Sequence, residues 1–85
     1  MKITSINTHL MGIAGPGGLA PSRNWIFVEI ETDEGITGIG EATTEYHEKA
    51  VVAMVQDHFA PLLVGQDPTR VHHLWQQMQR RGTTL

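Results

Sequence analysis

At Thr44 the hydrophobic period of this 85-residue chain changes from two to about 3.6, and that switch restricts the available folds more than any other feature. Before it, apolar residues sit in short stretches of β-formers. After it, Val51, Met54, Val55, Phe59 and Leu62 fall on one helical stripe, and Val71, Leu74, Trp75 and Met78 on another. Strands first and helices afterwards is the order of an α+β domain, with no internal repeat and no interdomain linker.

Three strands, at about residues 2–10, 24–32 and 36–41, are predicted to form an antiparallel meander. In the first, Thr4, Ile6, Thr8 and Leu10 share a face when extended, and Ile3 falls out of that phase. The second carries Trp25, Ile26, Phe27, Val28 and Ile30, apolar on both faces at its start. Thr32-Asp33-Glu34-Gly35 reads as a tight turn in which Gly35 supplies a positive φ. On the return strand, Gly38 and Gly40 leave one face without side chains, which predicts that something packs closely against that backbone. Between Met11 and Asn24, the density of Gly12, Gly15, Pro16, Gly17, Gly18 and Pro21 suits neither helix nor sheet and predicts a long loop.

Two helices are predicted, at about 44–60 and 68–81. Thr43 or Thr44 is placed to cap the first, Glu45 and Glu48 to complement its dipole, and Pro61 to end or kink it near Ala60. Asp67-Pro68 reads as an N-cap and first-position proline for the second, which ends at Gly82 with Arg80 and Arg81 at its negative end.

Composition narrows the function classes. Nine acidic against six basic residues give a net charge of −3, no footprint for a polyanion, so nucleic acid is not an expected partner. With no cysteine there is neither a disulfide framework nor a thiolate zinc site. No stretch resembles a signal peptide or a membrane span, and a soluble, cytoplasmic protein is the expectation. At this length only roughly 60 per cent of the unfolded chain's surface can be buried, so the core is expected to be thin.

The motifs that could carry chemistry have plainer readings. Ala14-Gly15-Pro16-Gly17-Gly18-Leu19 matches neither phosphate-binding glycine pattern and precedes no helix. A loop this long is nonetheless uncommon in a compact domain, and such loops often act as lids. Of the five histidines, His72 and His73 point in different directions on a helix and His47 and His58 are eleven apart, so no zinc site is expected within the chain. Glu41, Glu45 and Glu48 could hold a hard cation, but helix-dipole and strand-end roles account for them as well. No nucleophile has a neighbouring base. Trp75 and Met78 read as core or interface; Trp25, at the mouth of the long loop, either joins the core or lines what the loop covers.

The hairpin Asn24-Trp25-Ile26-Phe27-Val28-Glu29-Ile30-Glu31-Thr32-Asp33-Glu34-Gly35-Ile36-Thr37-Gly38-Ile39-Gly40-Glu41-Ala42 resembles the N-terminal capping domain of the mandelate racemase/muconate lactonizing family of the enolase superfamily, which writes a hydrophobic strand, T-D-x-G and G-x-G-E in this register. Met1-Lys2-Ile3-Thr4, Pro61-Leu62-Leu63-Val64-Gly65-Gln66-Asp67-Pro68 and Leu74-Trp75 extend the likeness over nearly the whole chain, notably toward acid-sugar dehydratases of the galactonate dehydratase kind. The resemblance implies a domain that closes over a (β/α)-barrel, in cis or in trans. The barrel would supply Mg2+ ligands and the acid/base residues that abstract the proton α to a carboxylate, so no catalytic or metal residue is assigned to this chain. It also implies that Ala14 to Asn24 and Thr43 to His47 form a lid over an acid-sugar carboxylate, with Arg23, Trp25, Tyr46 and His47 as candidate substrate contacts. Racemase and cycloisomerase chemistry are the alternatives to dehydration. The chain alone is not expected to be catalytic; its apolar patches, without a barrel, predict self-association, and a homo-oligomer is open. The alternative from another class is a stand-alone α+β binding or oligomerisation module.

Overall fold

The structure, a computed structural model, describes residues 1–12, 15–16, 24–44 and 46–83. Strands β1 (Ile3–Gly12), β2 (Gly15–Pro16), β3 (Trp25–Thr32) and β4 (Thr37–Glu41) form one antiparallel sheet in the order β2-β1-β3-β4. The meander β1-β3-β4 is followed by helices, as the change of period requires. One element differs from expectation: Gly15–Pro16, inside the predicted loop, turns back and pairs with Met11 and Gly12. A proline is tolerated there because β2 lies at the sheet edge, where its missing N–H interrupts no ladder.

The phase of Ile3 is resolved by a bulge. Ile3 pairs with Thr32 and Ser5 with Glu31, so two steps on β1 oppose one on β3, and Ile3 and Ile6 both turn to the same face. Ile3 gains a second partner in exchange: its N–H donates to the Gln66 carbonyl at 2.9 Å and its carbonyl accepts from Gly65 N–H at 2.8 Å. Gly65 does this at φ +91°, a conformation that glycine adopts without the Cβ penalty.

Glu48–Ala53 (α1) runs on through a π-helical stretch, Met54–Phe59, into Ala60–Leu63 (α2), with helical φ and ψ at each junction. Pro61 therefore does not end the helix. It follows directly on the π-helical stretch, in the first turn where α winding resumes. The wider π turn also shifts the helix phase, and Leu63 rather than Leu62 becomes the buried residue. Leu63 joins Ile3, Ile6 and Leu74 in a small core, with Val28, Ile30, Val55, Phe59, Ala60 and Met78 packed around them.

Both predicted helix starts move. α1 begins at Glu48 with His47 as its cap residue, so neither Thr43 nor Thr44 caps it; Glu48 does lie in the first turn. Glu45 and Arg23 lie outside the described residues. The last helix, α3 (Val71–Thr83), begins after a turn in which Asp67 Oδ1 accepts from Thr69 N–H at 2.9 Å and from the Thr69 hydroxyl at 2.7 Å. Asp67 and Pro68 shape that turn instead of the helix, because the aspartate's short side chain is taken up by its own loop.

Candidate functional site

Register places the sheet's loops at one end. Met11 pairs with Trp25 and Phe27 with Glu41, so the end of β1, the start of β3 and the end of β4 lie side by side. From this edge the first loop leaves β1 and re-enters at β3, and the second loop leaves β4 toward α1. The strand ends that flank the two predicted lid segments are thus brought side by side by pairings that no local stretch of sequence contains; residues 14 and 17–23 of the first segment and 45 of the second lie outside the described residues.

A backbone clamp ties the second segment to the exit of the first. Ile26, fully buried, accepts at its carbonyl from Ala42 N–H at 2.8 Å and donates its N–H to the Thr43 hydroxyl oxygen at 3.2 Å. Asn24, one residue beyond the strand, is buried as well. Thr43, expected as a helix cap, is thus spent on the sheet.

Tyr46 is held in the left-handed region at φ +68°, unusual for a residue with a Cβ, and its side chain is exposed. Its N–H donates to Glu48 Oε1 at 2.9 Å, which fixes the strained residue against the first turn of α1. Such strain persists only where the surroundings impose it, and it concentrates at ligand-contacting loops. His47 follows it, exposed, with its carbonyl accepting from Val51 N–H at 3.1 Å. Trp25, the third described candidate, is 41 % exposed and lies on the sheet face away from the helices. It is not part of the core. Of the four predicted contact residues, the structure describes three: Trp25 at the start of β3, and Tyr46 and His47 on the segment between β4 and α1.

The same outer face carries an open groove of about 590 Å³, lined by His9, Met11, Phe27, Glu29 and Ile39. His9 Nε2 lies 3.4 Å from Glu29 Oε1 at its polar end. Sequence reading missed this groove, since its residues come from three strands whose alignment depends on long-range register; the alternation Met11, Trp25, Phe27 opposite the Ile6 face was the only local sign of it. No three His, Asp or Glu side chains among the described residues converge to hold a metal.

Comparison with known proteins identifies the family. The model of the mandelate racemase/muconate lactonizing enzyme N-terminal domain matches residues 10–85. A D-galactonate dehydratase family member of Marinomonas sp. (strain MWYL1) is 50 % identical over 60 residues, covering 71 % of this chain and 15 % of that protein. A D-galactonate dehydratase of Verminephrobacter eiseniae is 45 % identical over 82 residues, covering 96 % of this chain and 19 % of that protein. Among solved structures, an enolase from Pantoea ananatis with bound D-gluconate and Mg superposes with a TM-score of 0.80 at 33 % identity, covering 96 % of this chain and 18 % of that one. The chain spans less than a fifth of the length of these relatives. By sequence match and by fold, it belongs to the mandelate racemase/muconate lactonizing enzyme family, as an N-terminal domain.

Proposed function

We propose that this domain is the substrate-covering cap of a Mg2+-dependent acid-sugar dehydratase whose barrel, outside this sequence, carries the metal and the acid/base residues. The observation that supports the reading is the clamp between Thr43 and Ile26, which ties the segment after β4 to the start of β3 at one end of the sheet. A cap that must close over one substrate needs its loops fixed relative to each other, because ordering them at the moment of binding would cost affinity. In this reading Arg23 pairs with the substrate carboxylate or a hydroxyl, and Trp25, Tyr46 and His47 supply apolar and hydrogen-bonding contacts. Dehydratases among the relatives favour loss of a β-hydroxyl after α-proton abstraction over racemisation or cycloisomerisation. A cytoplasmic setting belongs to the same proposal, resting on the metabolic character of those relatives.

The test is an assay of the full-length protein that carries this chain, supplied with Mg2+ and a panel of aldonic acids. Mg2+-dependent formation of 2-keto-3-deoxy acids supports the reading. A full-length protein with no barrel, or one that leaves every acid sugar and its α-deuterium untouched, overturns it and leaves a non-catalytic binding module.

A further inference from the structure

The strain at Tyr46 has its partner two residues on. Among the described residues, Tyr46 is the only non-glycine with a positive φ, +68°, where a Cβ crowds the following carbonyl. Its N–H donates to Glu48 Oε1 at 2.9 Å. The bond spans two residues, so it closes a short ring that fixes the backbone of Tyr46 and His47. Its acceptor is a carboxylate, which makes it stronger than a bond between neutral groups. His47, the cap residue of α1, makes no side-chain capping bond, so its ring is not engaged at the helix start. The side chains of Tyr46 and His47 are exposed, and Glu48 behind them is half-buried.

We infer that Glu48 is a positioning residue: by holding the Tyr46 N–H, its carboxylate sets the backbone from which the Tyr46 and His47 side chains reach the substrate. The effect on substrate rests on the capping reading above; the geometry of residues 46–48 stands without it. A left-handed residue with a Cβ persists where its surroundings over-determine it, and here Glu48 supplies that constraint before any ligand arrives. Contacts fixed in advance need no ordering at the moment of binding. Glu48 acts through Tyr46 and not by direct contact, because in the capping reading the substrate is itself a carboxylate and would be repelled. A simpler role is available to Glu48, since an acidic side chain in the first turn of a helix complements its dipole. The two roles need different things: the dipole needs a charge, and the Tyr46 N–H needs an oxygen acceptor.

Two substitutions separate these roles. Glu48→Gln keeps an oxygen acceptor and removes the charge, whereas Glu48→Ala removes both. In the full-length protein that carries this chain, assayed with the aldonic acid it turns over fastest, Glu48→Ala is expected to lower kcat/KM about three- to tenfold, mainly through KM. Glu48→Gln is expected to stay within about twofold of wild type. In amide hydrogen exchange, Tyr46 should lose protection in Glu48→Ala and keep it in Glu48→Gln. Adding Glu48→Ala to Tyr46→Gly should lower kcat/KM no further, since a residue that acts through another has no effect once that other is replaced. Equal losses in the Gln and Ala variants would assign Glu48 to the helix dipole and overturn the inference. An additive double variant, or Tyr46 exchange unchanged in Glu48→Ala, would overturn it as well. A full-length protein that turns over no acid sugar removes the capping reading, and the exchange comparison then decides by itself whether Glu48 positions Tyr46.

Discussion

The Thr43 hydroxyl oxygen accepts a hydrogen bond from the N–H of Ile26 at 3.2 Å, joining the segment after β4 to the start of β3. Removing that acceptor leaves a buried amide unsatisfied, which costs about 1–3 kcal/mol when water cannot replace it. Thr43→Val is therefore expected to lower stability by about 1 kcal/mol and to speed hydrogen exchange at the Ile26 amide, while Thr43→Ser, which keeps the oxygen, does neither. Urea unfolding together with amide exchange measures both.

Tyr46 offers a stability change of the opposite sign. A residue with a Cβ at φ +68° carries roughly 1–2 kcal/mol of conformational cost that glycine avoids. Tyr46→Gly is expected to stabilise the domain by up to about 1 kcal/mol and, in the full-length enzyme, to lower kcat/KM. A variant both more stable and fully active would show that the strain serves no contact.

Gly65→Ala tests the anchor of β1. Its φ of +91° strains any L side chain, and no atom lies within 4 Å of the position a Cβ would take, so the backbone alone is at stake. A loss of about 1–2 kcal/mol is expected. Because Gly65 N–H holds the Ile3 carbonyl, protection at the start of β1 should fall with it.

The Asp67 carboxyl is held below its ordinary range, chiefly by the Thr69 hydroxyl and then by the Thr69 amide, both of which donate to the charged form. A depressed folded value means that this turn adds stability above the unfolded carboxylate pKa and loses it as pH falls through the folded one. In an NMR titration, Thr69→Ala is expected to move the Asp67 midpoint upward toward the ordinary value. An unmoved midpoint would mean that the two bonds do not persist in solution.

Much of this was legible in the sequence, and what was not has identifiable causes. The change of period at Thr44, the β-formers of Trp25 to Ile30 and the turn at Gly35 are local signals, and the elements they announce are present. Ile3 was out of phase because a bulge is defined by the partner strand, not by the strand that carries it. Leu62 was favoured over Leu63 because a constant 3.6-residue period cannot anticipate a π-helical stretch. Thr43 is an equally good cap and clamp by residue type; only the position of Ile26 decides between them. The close packing expected over Gly38 and Gly40 is not supplied by any described residue: nothing among them comes within 4 Å of where a Cβ would stand. The outer groove of His9, Met11, Phe27, Glu29 and Ile39 required the register of three strands and was out of reach.

The central claim is that the two loops act together as a lid over an acid sugar. Amide hydrogen exchange on the full-length protein, with and without a bound acid sugar it does not turn over, tests this most directly. The account predicts that protection rises together at residues 24–26 and 43–48 and stays constant at β4. Protection confined to one loop, or unchanged at both, would contradict it.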